Sequence, residues 1–191
     1  MRGDKRERIL RVLLNHNEKE SLSKNELSKL AGCTRQWVIK FLRELQIKKL
    51  IKETSVIDKK SLVKYWISIA KKPEIFKSYM VKEPLKLLAN TNLEYALTTY
   101  QAENLVQHYL FPSRIDLYIL KKDINKWHSL MTSNGLYGKG NIRLITTDEH
   151  VIYSKRKIKN LLVVSIPQLI VDLAKEGGPC QEASEMLINK L

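Results

Sequence analysis

Residues 22–45, LSKNELSKLAGCTRQWVIKFLREL, decide how the rest of the chain is read. Their pattern predicts two helices joined by a short turn. Ser23 stands where it can cap the first helix, and Glu26 three residues later completes a capping box. Leu22 and Leu27 occupy the two positions of a hydrophobic staple. Gly32 marks a helix end in positive φ, and Thr34 can cap the helix that follows. In that second helix Val38, Phe41, Leu42 and Leu45 share one face at helical spacing. At about 100° per residue, Gln36, Lys40 and Arg43 gather on the opposite face, with Arg35 in the first turn. A docked apolar face opposed to an outward Arg/Lys/Gln face is what a helix needs to read DNA. An ordinary surface helix with a basic face has the same composition, so the flanking segments carry the decision.

Those flanks run in a definite order. A helix over about 5–16 offers Ile9, Leu10, Val12, Leu13 and Leu14 to a core, and the polar stretch 15–20 ends it. After the quoted stretch, Ile47, Leu50 and Ile51 are expected to carry packing onward. IKETSVI (51–57) and LVKYWISIA (62–70) then read as two β-rich runs around the polar turn 58–61, the shape of a hairpin wing. Helix, helix, helix, strand, strand resembles a winged helix-turn-helix DNA-binding domain over residues 1–72. The candidate DNA-binding residues are Thr34, Arg35, Gln36, Lys40 and Arg43 on the helix. Lys59 and Lys60 are expected to touch backbone phosphate from the wing. Trp37 and Trp66 read as core or rim packing.

Charge agrees with this placement. The 191 residues carry a net +14, and 43% are hydrophobic, enough for real cores. Residues 1–72 hold 19 Lys/Arg against 8 Asp/Glu, whereas 73–191 hold 15 against 12. The basic excess therefore lies with the segment expected to neutralise phosphates. No apolar run approaches transmembrane length, and no helix pairs a basic face with a bulky lipid-seeking one. The expectation is a soluble, cytoplasmic protein without membrane attachment. Cys33 and Cys180 form no spaced metal set, and His16, His108, His128 and His150 have no ligand-like spacing. No metal site and no cofactor is expected.

The second half alternates. Residues 73–92, punctuated by Pro73 and Pro84, read as a linker. Within 93–191, strands are expected at 95–100, 114–120, 142–146 and 161–164, with 151–154 a further candidate. Helices are expected at 101–109, 123–133, 167–175 and 181–191. That alternation indicates an α/β (α+β) domain with helices on a sheet. Ser113-Arg114-Ile115-Asp116-Leu117 resembles the metal-binding strand of polymerase-β-type nucleotidyltransferases, in which two carboxylates on one strand face hold a divalent metal. Here Arg114 and Tyr118 stand two residues either side of Asp116, so the resemblance implies a degenerate, catalytically empty relative. Gly135 to Gly140 reads as a plain loop, because a phosphate-cradling loop needs Lys-Ser/Thr leading into a helix. The basic run 153–159 fits either added phosphate contacts or a strand edge guarded by lysines.

Taken together, the chain resembles the antitoxin-type transcriptional regulators of the AbiE (type IV toxin–antitoxin) family. The resemblance rests on 22–45, on YALTTYQAENLV at 95–106, on RIDLYIL at 114–120 and on SIPQLIVDLAKEGGPCQEASEMLINKL at 165–191. It implies a non-enzymatic, sequence-specific repressor of its own operon, with double-stranded DNA and a cognate toxin as partners. A single recognition helix reads few base pairs, so a homodimer or cooperative assembly on DNA is also expected. Two other readings stand beside it. One is a nucleotidyltransferase-like enzyme acting on a nucleotide or RNA through Asp116. The other is a toxin-binding interaction protein without operator specificity.

Overall fold

Three side-chain caps lay out the N-terminal part of the chain. The computed structural model describes residues 2–17, 22–73 and 76–191, with backbone alone for 2–4 and 76. Helix α1 spans Arg2–Asn15; the polar stretch expected to end it falls partly outside the described residues. Ser23 Oγ accepts from the Glu26 amide at 3.1 Å and Glu26 Oε2 accepts from the Ser23 amide at 2.8 Å. This capping box starts α2 (Lys24–Leu30). Gly32, at φ +58°, turns the chain, and Thr34 caps α3 (Arg35–Ile47) by accepting from the Trp37 amide. Strands β1 (Ile51–Lys52) and β2 (Ser55–Val56) pair antiparallel. The third cap is Asp58, whose carboxylate accepts from the Lys60 and Ser61 amides at the start of α4 (Lys59–Ile69).

This corrects the expected wing. The hairpin lies wholly within 51–56, and the run expected as a second strand at 62–70 belongs to helix α4, which ends at Ile69. Its Val, Tyr, Trp and Ile content suggests a strand, but the buried positions Leu62, Val63, Trp66 and Ala70 recur at helical period. Asp58 supplies the start signal that composition concealed. Trp66 is fully buried; its indole N–H donates to Glu7 Oε2 at 3.0 Å, and the Arg11 guanidinium lies 5.2 Å from its ring. Ile9, Leu10, Leu13, Leu27, Leu42 and Leu45 are buried as well.

The remaining elements are β3 (Phe76–Val81), α5 (Pro84–Asn90), β4 (Tyr95–Thr98), α6 (Thr99–Gln107) and β5 (Ile115–Ile119). They continue with α7 (Ile124–Ser133), β6 (Gly135–Tyr137), β7 (Ile142–Thr146), β8 (Arg156–Ile158), β9 (Leu161–Val163), α8 (Ile166–Glu176) and α9 (Pro179–Asn189). Seven strands form one mixed sheet in the order β6-β3-β7-β5-β4-β9-β8. Strand β5 runs antiparallel to β4 and parallel to β7, while β4 and β9 are parallel. The protein is thus mixed α and β. The chain divides into two compact units, 1–71 with 185–191 and 72–184. Among the described residues, no helix is long and apolar enough to cross a membrane.

Three further expectations change. The stretch 73–92 is not a linker, since 76–81 is β3, hydrogen-bonded between β6 and β7, and 84–90 is α5. Gly135 to Gly140 is not a plain loop, because it contains β6. A Cβ on Gly135 would stand 2.0 Å from the Met80 carbonyl oxygen, and one on Gly140 2.1 Å from that of Tyr79. These glycines allow strand approach rather than phosphate contact. The candidate strand at 151–154 is instead a 3-10 turn, Glu149–Ile152.

Candidate nucleic-acid interface

Helix α3 is amphipathic as its spacing demands. Val38, Phe41, Leu42 and Leu45 are buried, while Arg35, Gln36, Lys40 and Arg43 are exposed. Among the described residues, none of these four polar side chains has a hydrogen-bond or ion-pair partner. Thr34 is exposed and its hydroxyl is engaged in the cap. The lone acid of α3, Glu44, is occupied on both oxygens: Arg6 pairs with Oε2 at 3.0 Å and the Tyr65 hydroxyl donates to Oε1 at 2.8 Å. Burial, then the bond to Glu44, pushes the Tyr65 phenol up to about 12. Glu44 therefore sets little negative charge against an approaching phosphate.

Lys59 and Lys60 do not stand at a wing tip. Both are half-buried in the first turn of α4, and Lys60 Nζ donates to the Asn189 carbonyl at 3.0 Å. The hairpin tip carries Glu53 instead, at φ +57°. Trp37 is half-buried with the Lys5 ammonium 5.8 Å from its ring, consistent with rim packing. Ile47, expected to be packed, is 82% exposed at the end of α3. It lies on the Gln36/Lys40/Arg43 side by helical angle. Its place opposite the Val38–Leu45 face was the available signal.

No protein-family model, curated protein or solved structure matches this chain. The site must be read from its own chemistry.

Asp116 is the second residue the sequence singles out. Its side chain is fully buried on β5. Arg114 donates from Nε to Oδ1 at 2.7 Å and from Nη2 to Oδ2 at 2.8 Å. Arg143, on the neighbouring β7, repeats the fork at 2.9 and 3.0 Å, and the Thr99 hydroxyl adds a bond at 2.6 Å. Two guanidinium forks and a hydroxyl occupy the lone pairs that a metal ligand would need. Glu176, at the end of α8, receives Arg114 at 3.0 Å, Arg143 at 3.4 Å and Lys72 at 2.9 Å. Burial would raise the Glu176 carboxyl, but the bonds from Lys72 and Arg114 and the neighbouring guanidinium charges bring it down to about 2. Asp172 accepts from the Tyr118 hydroxyl at 3.1 Å, from Gln168 and from Thr98. The adjoining pocket offers only about 20 Å³ to the centre of a water molecule. That is room for one or two waters, far below a nucleotide site. Among the described residues, no group of three His, Cys, Asp or Glu converges as a metal-ligand set.

Proposed function

We propose that the protein is a sequence-specific DNA-binding transcriptional regulator of winged helix-turn-helix type, acting without catalysis. The observation that supports this reading is the outward face of α3, where four polar side chains suited to base edges and phosphate are unpartnered among the described residues. Leaving two arginines, a lysine and a glutamine unsatisfied by the protein suits a surface that is satisfied by another molecule. Short hairpin β1–β2 directly after α3 takes the place of the wing. The resemblance to AbiE-type antitoxins adds the proposals that it represses its own operon, assembles on DNA as a dimer or cooperatively, and meets a toxin. The saturated Asp116 favours this reading over a nucleotidyltransferase.

The test is a selection of bound duplexes from a random pool, followed by affinity measurements on the selected site and an unrelated one. Gln36→Ala and Arg43→Ala should each cost roughly 1–3 kcal/mol on the selected site and little on the unrelated duplex. Unchanged affinity in both variants, with the fold intact by circular dichroism, would overturn the assignment.

A further inference from the structure

The sheet has two edges, and they are built differently. Strand β6 is one edge; its Leu136 and Tyr137 are 75% and 64% exposed and the strand holds no charge. Strand β8 is the other, with exposed Arg156 and Lys157, and the exposed Lys159 follows in the turn to β9. Lysines commonly guard a sheet edge against pairing with another chain. Both edge strands are only three residues long, shortness is itself a guard, and β6 holds its edge with no lysine in the strand, so guarding alone does not account for the cations of β8.

The turn carries a second signal. Ile158 pairs with Leu161, so Lys159 and Asn160 are the two residues of the loop, at φ +48° and +65°. Positive φ at both positions is the type I′ geometry, whose usual occupants are Asn, Asp and Gly. Lysine there is held in a backbone region that disfavours it. From 150 to 171 the chain contains four cations and no Asp or Glu. Lys155 is paired with Glu94, while Arg156, Lys157 and Lys159 have no partner among the described residues.

We infer that the β8–β9 hairpin is a second polyanion-binding element, holding duplex DNA by its backbone phosphates through Arg156, Lys157 and Lys159. The inference rests on the DNA-binding reading of the chain but not on α3 as the reader. Phosphate contact carries no sequence information, so the hairpin adds affinity and salt dependence rather than selectivity.

The experiment uses the full chain with Arg156→Gln, Lys157→Gln and Lys159→Asn combined, Asn being suited to the turn. Affinity for a selected and a random duplex is measured between about 50 and 200 mM salt. Loss of three phosphate contacts should reduce the log–log salt slope by about 2–3 and weaken both duplexes alike, with a melting temperature no lower than wild type. Lys157→Glu alone should weaken binding more than Lys157→Gln. An unchanged slope in a folded variant overturns the inference, and so does new self-association with DNA binding intact, which would mark an edge guard. Loss confined to single-stranded RNA also overturns it. Hairpin variants that act while Gln36→Ala and Arg43→Ala do nothing would uphold it and sink the α3 reading. A wild-type chain that binds no duplex sinks both.

Discussion

Asp116 and Glu176 form a charged cluster held by Arg114, Arg143 and Lys72, with the Thr99 hydroxyl also bonded to Asp116. Buried ion pairs are poor evidence of net stability, but removing one partner leaves a buried charge exposed to its full desolvation cost. Glu176 is 13% exposed at its side chain, so solvent screens it little. Its carboxyl lies near 2 in the folded chain against an ordinary value of 4.5. A depressed acid stabilises the folded state fully above pH 4.5, and that contribution disappears as pH falls toward 2. Glu176→Gln should therefore cost roughly 3 kcal/mol at neutral pH. The gap between variant and wild type should close between about pH 4.5 and pH 2, read from urea midpoints at each pH. A gap that stayed constant through that window would show that Glu176 is not the titrating partner.

The helices and hairpins show where local signals suffice. The capping box at Ser23 and Glu26, the Thr34 cap and the Gly32 turn are decided within a few residues, and α2 and α3 form where their spacing indicates. Helix α4 was hidden because its residues are β-branched and aromatic, and only the period of burial separates the two outcomes. Strand β6 was hidden because its glycines resemble a loop until β3 lies against them. Gly135 is the direct check: a Cβ there would stand 2.0 Å from the Met80 carbonyl oxygen. Gly135→Ala should destabilise by roughly 2 kcal/mol or more, as expected for overpacking against rigid backbone. Gly178→Ala, with nothing within 4 Å and φ +57°, in the left-handed region that other residues also enter, should cost only the backbone strain, about 1 kcal/mol. Equal effects in thermal melts would mean that β6 does not pair as described.

For the whole molecule, the placement of β3 changes where the chain can be cut. Pro84 follows β3 and precedes the rest of the sheet. A fragment beginning at residue 85 would lack the strand bonded to both β6 and β7. It should fail to unfold cooperatively in urea and should aggregate through the uncovered β7 edge. A fragment beginning at 72 keeps β3 and is expected to retain a cooperative transition. A sharp two-state transition in the 85–191 fragment would contradict the central role of β3.

What the sequence determined alone was whatever depends on near neighbours. The caps, the amphipathic face of α3, strands β5, β7 and β9, and helices α7 and α8 to within a few residues all follow from periodicity and local hydrogen bonding. So does the site proposed on α3, since an exposed face is the complement of a buried one. What only tertiary structure decided depends on residues far apart. Arg143 reaches Asp116 across 27 positions and Glu176 reaches Arg114 across 62, so the fate of the one acid resembling a catalytic residue was invisible in its own strand. The basic run at 155–159 likewise gained meaning only when the sheet acquired a second, uncharged edge to compare it with. Local sequence fixes backbone preference; strand order fixes which side chains share a buried space, and that pairing decides the chemistry.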